Sequence, residues 1–313
     1  SEMCPDGIDA VWTWVNGSDP KWFKEISRYS NKIDPERYRE YGTLLYSVRS
    51  VYKFAPYIKN YYIVTMSQVP SWLNESYKST DYKIKVIDHT QLFPDLSVLP
   101  TFNSNSIESV IHRIPGLSKC FLYMNDDTYL GNSIHPDFWF DKGKIRQFQD
   151  GHEALEPSGQ WLSSLVETSN LIDNEYLDGR HTVRYVPQHC MHFFDKTLLS
   201  TLEKRFEDQY KIERTHKFRT EKDLVISFLH INAGFYENKT TTENIKNEIY
   251  YAPWTSNTNR NRHHMSKIKT NKFKCFCLND KVDGDARTVR KTTTQLLRFL
   301  SDMFPVPLPF EKQ

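Results

Sequence analysis

The chain has 313 residues, and its 41 Lys plus Arg against 39 Asp plus Glu leave a formal charge of only +2. That balance excludes a general nucleic-acid binder, which needs a basic excess to displace counterions, and a 38% hydrophobic, 14% aromatic composition excludes wholesale disorder. No apolar run approaches the ~18 residues of a membrane helix, so a signal peptide or anchor is expected only outside this sequence, in which Ser1-Glu2-Met3 reads as a cloning remnant.

Residues 8–15 (IDAVWTWV) read as a buried strand that runs into the polar turn Asn16-Gly17-Ser18-Asp19-Pro20. Leu44, Leu45, Val48, Val51 and Tyr52 recur at helical spacing over 42–54, and Pro56 ends that helix. Tyr61–Thr65 and Lys83–Ile87 read as strands. The spacing of Ile107, Val110 and Ile111 predicts one helix over Ser104–Ile114, stopped by Pro115-Gly116. Cys120–Met124 is a further apolar strand, ending in Asn125-Asp126-Asp127. After residue 140 the pattern is less regular: a strand over Val183–Val186, helices over Leu198–Phe206 and Asp223–Ile231, and a strand over Lys274–Leu278 that ends in Asn279-Asp280. Thr255 to Lys274 carries Arg260, Arg262, Lys267, Lys269, Lys272 and Lys274 with no acid. It reads as a loop, either a solvated connector or a cover for an anionic substrate. A last amphipathic helix spans 285–303, and Pro305–Pro309 should lie extended on the surface. Short strands alternating with helices predict an α/β fold, a mixed, mostly parallel Rossmann-like sheet flanked by helices.

Cys4, Cys120, Cys190, Cys275 and Cys277 lack zinc-finger spacing, and their odd number leaves a free thiol or an intermolecular bond. Three Asn-x-Ser/Thr triplets, at Asn16, Asn74 and Asn238, point weakly to a secretory location.

In open α/β sheets ligands bind beyond the strand ends, so the polar turns are the places to look for chemistry. Asp19 and the Asp126/Asp127 pair close two separate strands, and carboxylates gathered there suit Mg²⁺ with phosphate oxygens; the plain alternative is a turn or a helix cap. His189 and His192, just past a strand, can serve as general base or as nucleophile toward phosphorus; a structural histidine is the commoner case. Arg219, in His216-Lys217-Phe218-Arg219, suits a phosphate, although composition alone favours a solvated charge.

The chain resembles the Stealth proteins, phosphotransferases that include the catalytic part of GlcNAc-1-phosphotransferase and bacterial capsule polymerases. Four ordered blocks carry the resemblance. The first is Ile8 to Pro20. The second runs from Leu44 to Asp127, with Leu99-Pro100-Thr101-Phe102-Asn103-Ser104 and His112-Arg113-Ile114-Pro115-Gly116 inside it. The third is Val186 to His192 with His216–Arg219 and Asp223, and the fourth is Cys277–Asp280 with Phe304-Pro305 and Pro309-Phe310-Glu311. Departures from the family pattern are Thr43-Leu44-Leu45-Tyr46-Ser47 at the start of the second block, Met191 in place of a proline, and Lys222 in place of an acid. These bear on donor and acceptor preference rather than on the class of reaction, and the inserted modules of the animal enzyme are absent.

The resemblance implies one catalytic domain over 1–313: a nucleotide-sugar half, 1–140, and a half at 141–313 carrying the His and Arg, with the basic loop at 255–274. It implies transfer of a sugar-1-phosphate from a UDP-sugar, such as UDP-GlcNAc, to a hydroxyl of a glycan or glycoprotein acceptor, with release of UMP. Asp19, Asp126 and Asp127 would hold Mg²⁺ or Mn²⁺. Arg219 would neutralise the transferred phosphoryl group, and His189 would be base or nucleophile. Asn16, Gly17, Asn103, Glu108, His112, Arg113, Asn125, His192 and Asn279 would line the substrate site. The family and the Asn-x-Ser/Thr triplets together place the protein in the secretory pathway, in the Golgi lumen. The rivals are a metal-dependent glycosyltransferase, which would release UDP, and a non-catalytic glycan-binding protein.

Overall fold

A computed structural model describes residues 2–245 and 247–313; Ser1, the first residue of the expected remnant, lies outside the described residues. In chain order the first half gives β1 (Ile8–Thr13), α1 (Pro20–Ser27), α2 (Pro35–Tyr38), α3 (Thr43–Phe54), β2 (Asn60–Thr65), β3 (Lys83–Asp88), α4 (Ser104–Glu108), β4 (Cys120–Asn125) and β5 (Thr128–Leu130). The second half gives β6 (Phe140–Asp141), β7 (Lys144–Glu153), α5 (Gly159–Tyr176), β8 (Tyr185–Pro187), β9 (His192–Asp195), α6 (Lys196–Arg205), α7 (Glu207–Arg214) and α8 (Ile226–Tyr236). It closes with β10 (Thr240–Glu243), β11 (Ile249–Trp254), α9 (Thr258–Asn271), β12 (Cys275–Asp280) and α10 (Ala286–Met303).

The main sheet has the order β3-β2-β1-β4-β9, parallel except for β9. Its central strands β1 and β4 are buried on both faces, which is why they read as unbroken apolar runs, whereas the edge strand β3 alternates exposed and covered residues. Ala10 and Trp12 face one core with α3; Val11 faces the other, with Phe121, α6 and α8. The chain leaves β1 toward β2 and β3, then returns to the opposite side of β1 as β4. The crevice beyond the ends of β1 and β4 is therefore the topological switch point, the usual ligand position in such sheets. A second sheet (β10-β7-β6, with β8 on β7) and a third (β11-β12-β5) flank this crevice, so the architecture is the expected mixed, mostly parallel α/β.

Two disulfides brace it. Cys4–Cys120 ties the N-terminal segment to β4, and Cys190–Cys275 ties the β8–β9 connection to β12; Cys277 is a buried free thiol.

Four expectations need correction. The basic stretch 255–274 is not a loop: 258–271 forms α9, because Asn257 accepts from the Asn259 and Arg260 amides at its N-terminus and Asn261 and Ile268 are buried beneath it. The single helix expected over 104–114 breaks after Glu108, where the Ser109 hydroxyl bonds to Ser106 O at 2.6 Å, and only a 3-10 turn at Ile111–Arg113 follows. The C-terminal tail does not simply lie on the surface, because Leu308 and Phe310 are buried and Glu311 pairs with Arg49 at 2.7 Å. The stretch 140–180, irregular by pattern, holds the ten-residue β7 and the 18-residue α5. Among the described residues no helix is long and apolar enough to cross a membrane.

Candidate active site

One open cleft of about 1320 Å³ lies over the switch point, and Asp19, Glu108, Asn125, Asp126, Asp127, His189, His192, Arg219 and Asn279 all border it. Four separate stretches of chain thus bring Asp19, Asp127, His189 and Arg219 to one space.

The floor is acidic. Asp126 and Asp127 form the two-residue connection between β4 and β5, and Asp127 O accepts from Leu278 N at 3.0 Å, which stitches the turn to β12. Burial raises both carboxyls, Asp126 well above its ordinary value, and the like charge of Glu40, Asp127 and Asp280 adds to the rise of Asp126. His189 and the Cys277 thiol act in the opposite direction on Asp127. Glu40 and Asp280 already have partners, Trp14 Nε1 for the first and Arg39 at 3.2 Å for the second. Asp126 and Asp127 border the cleft side by side, and among the described residues no basic side chain is hydrogen-bonded to either.

Asp19 stands apart from this pair. Its Oδ1 accepts from Lys21 N at 3.0 Å, capping α1, and its Oδ2 accepts from Gln68 at 3.2 Å. It borders the same cleft, yet it does not complete a close three-ligand group with Asp126 and Asp127. Among the described residues the one such group is Glu213, His216 and Asp223, with ligand atoms within 4.8 Å. Hydrogen bonds from Asn103, Asn105 and the Thr220 amide already close in on that cluster.

His189 sits two residues past β8, beside the Cys190–Cys275 bridge that holds this connection against β12. Its ring meets Tyr251 edge-on at 5.1 Å, and Asn279 donates to the Tyr251 hydroxyl at 2.6 Å. Desolvation lowers the imidazole pKa, opposed by Asp127 and reinforced by Arg219 and Lys281. The net shift favours the neutral, proton-accepting form. His192 is stacked on Phe194 and Tyr123, and burial pushes it down to about 4, so it too is neutral near pH 7. Tyr123 also bonds to Thr13 at 2.7 Å and to Asn125 at 3.1 Å, tying the ends of β1 and β4 together.

Arg219 borders the cleft from a strap between α7 and α8. It donates to Ser104 Oγ at 2.9 Å, and burial and Arg37 lower its pKa against the pull of Glu108. Burial pushes the Glu108 carboxyl up to about 7, although Arg219 and the Tyr123 hydroxyl oppose the rise.

The remaining expected site residues have other places. Asn103 is fully buried beneath the strap. Gly17 packs on the backbone of Tyr38, where an added Cβ would meet Tyr38 O at 2.0 Å, and Asn16 shapes its turn through Ser18 and Gln68. Neither borders the cleft. His112 and Arg113 lie elsewhere, bonded to Glu203 at 2.9 and 3.4 Å beside a separate pocket of about 370 Å³. Glu40, Asp280, Tyr251 and Trp161 border or shape the cleft and were not singled out in the sequence. Asp280 alone left a signal there, the polar end of its strand.

Four family profiles match in order: Stealth protein CR1, conserved region 1, over residues 6–34; CR2, conserved region 2, over 37–148; CR3, conserved region 3, over 188–231; and CR4, conserved region 4, over 266–313. An exopolysaccharide phosphotransferase of Streptomyces coelicolor is 31% identical over 98% of this chain and 52% of its own length. One from Mycobacterium tuberculosis is 31% identical over 97% of this chain and 58% of its own. The chain thus spans about half the length of the curated relatives it matches. A solved galactosyltransferase, in complex with donor and acceptor sugar analogues, aligns over 96% of this chain and 97% of its own at 10% identity and a TM-score of 0.47.

Proposed function

Because the chain belongs to the Stealth family, we propose that it is a sugar-1-phosphate transferase, moving that group from a UDP-sugar to a hydroxyl of an acceptor glycan and releasing UMP. The observation that carries this reading is the meeting of Asp127, His189 and Arg219 in one cleft at the switch point. Relatives named as exopolysaccharide phosphotransferases support the reaction class.

The bond to be broken is the P–O bond of the pyrophosphate. That chemistry needs neutralised phosphates, an in-line acceptor and a place for its proton. Arg219 supplies a fixed cation for the transferred phosphoryl oxygens. Neutral His189 takes the acceptor proton on a ring nitrogen, or attacks phosphorus itself and then yields the phosphoryl group to the acceptor. Asp126 and Asp127 are hard oxygen donors whose crowding by other carboxylates fits a divalent cation, so they would hold Mg²⁺ or Mn²⁺. Such an ion, when bound, neutralises pyrophosphate charge. Asp19 organises the lip of the cleft through Gln68.

Asp150, His152, Trp161 and Gln188 line the same cleft as His189, and this polar and aromatic lining supports an acceptor-sugar side there. Two disulfides and the three glycosylation triplets support an oxidising secretory compartment, which we take to be the Golgi lumen. The test is a panel of UDP- and GDP-sugars with Mg²⁺ or Mn²⁺ and simple sugar acceptors. Monophosphate release should appear with the wild type and vanish in a folded His189→Ala protein; full turnover by that variant would remove His189 from the mechanism.

A further inference from the structure

We propose that the buried cluster of Asn103, Glu213, His216 and Asp223 is the positioning device for Arg219. It sets the place at which a cation meets the transferred phosphoryl group, and it rests on the role given to Arg219 above.

The strap 216–220 is fastened along its length. His216 Nδ1 lies 2.9 Å from Asp223 Oδ1 and 3.5 Å from Glu213 Oε1. The Lys217 ammonium donates to Val98 O at 3.1 Å and also to Pro100 O, while Lys217 O accepts from Phe102 N at 2.9 Å. Phe218 stacks on Phe102 with centroids 5.4 Å apart. Thr220 N donates to Asp223 Oδ2 at 2.9 Å, and Thr220 O accepts from Gln160 at 2.9 Å. Arg219 is the residue of this strap whose side chain is left for the cleft, and its guanidinium has one hydrogen-bond partner among the described residues, Ser104. A long side chain with one tether takes its position from the backbone that carries it.

Asn103 joins the two ends of this arrangement. Its amide nitrogen, with two hydrogens to give, is ringed by four acceptors: His216 O at 3.0 Å, Asp223 Oδ1 at 3.1 Å, Phe218 O at 3.3 Å and Glu213 Oε2 at 3.4 Å. Its amide oxygen accepts from Asn105 N at 3.0 Å and so caps α4, the helix that begins with Ser104. One buried amide therefore fixes both the strap and the hydroxyl that holds the Arg219 guanidinium. The same contacts set an amide donor between the Glu213 and Asp223 carboxylates, which suits a hydrogen-bonded network better than a cation.

The experiment is a double-mutant cycle. His216→Gln, Asn103→Ala and the milder Ser104→Ala, which leaves the buried cluster intact, are each made alone and in an Arg219→Ala background. Monophosphate release from UDP-GlcNAc gives kcat and donor KM, and thermal melting checks the fold. Misplacement of a reacting group by about 1 Å costs on the order of 10²-fold, so His216→Gln and Asn103→Ala should lower kcat about 10- to 100-fold. Donor KM should move less than about threefold. In the Arg219→Ala background the same changes should cost less than about twofold, because the group they place is gone. An equal loss in both backgrounds, or an unchanged kcat in His216→Gln, would overturn the proposal. Should both buried variants fail to fold, Ser104→Ala decides by the same cycle: a loss confined to the Arg219 background supports it, and an independent loss overturns it. Full turnover in Arg219→Ala alone would instead withdraw the role of Arg219, whatever the cycle gives.

Discussion

Replacing Glu108 with Gln should flatten part of the pH dependence of stability. Glu108 borders the cleft between Tyr123 and Arg219, and burial raises its carboxyl from 4.5 to about 7. At ~1.36 kcal/mol per pH unit, that difference corresponds to about 3 kcal/mol at most. Part of the side chain faces the cleft, so about 2 kcal/mol is the working figure. The sign follows from linkage: below pH 4.5 the group is protonated in both states and the stability is fully present. Between 4.5 and about 7 the unfolded chain ionises while the folded one holds its proton, so stability falls, and above about 7 the loss is complete. Urea denaturation of wild type and Glu108→Gln at pH 4.5 and pH 8 measures it. Wild type should lose about 2 kcal/mol more than the variant across that interval. Parallel losses would refute the claim that Glu108 is held protonated by burial.

Other outcomes follow from the same geometry. Asp127→Asn should lower turnover at least ~100-fold and abolish its response to added Mg²⁺ or Mn²⁺, read by titrating the metal after chelation. The paired change Cys190→Ser, Cys275→Ser opens a loop with a sequence separation of 85 and should cost about 4 kcal/mol in denaturant. Trp161 is 36% exposed and lines the cleft, and on the acceptor side proposed above its ring would meet the apolar face of a sugar. Trp161→Ala should raise acceptor KM about tenfold and leave donor KM unchanged, as measured by initial rates at saturating donor.

Much of the central sheet was legible because burial on both faces demands unbroken apolar runs, as in Ile8–Thr13 and Cys120–Asn125. The turns after them were legible as well, since polar residues closing such strands have few other uses than ligands and caps. Asp19 shows the ambiguity, for the same carboxylate that borders the cleft also caps α1. α9 was hidden because its fully buried side is one apolar residue, Ile268, beside the polar Asn261, under a cationic exterior. Asn103, His112 and Arg113 were expected at the substrate because they fall in blocks that resemble the family's. A polar residue can equally be required by a buried network, as with Asn103, or by an ion pair, as with Glu203, and one sequence does not separate these cases. Tyr251 and Trp161 left no local pattern because tertiary packing alone brings them to the cleft, and Glu40 bears on it through its charge beside Asp126.

The most direct measurement follows the β-phosphorus of the donor. UDP-GlcNAc carrying ³²P at its β position is incubated with the protein, a divalent cation and an acceptor glycan, and the products are separated. Label recovered on the glycan, with unlabelled UMP released, is the result expected from an attack on phosphorus in this cleft. Label retained in free UDP, with the sugar alone transferred, would contradict it.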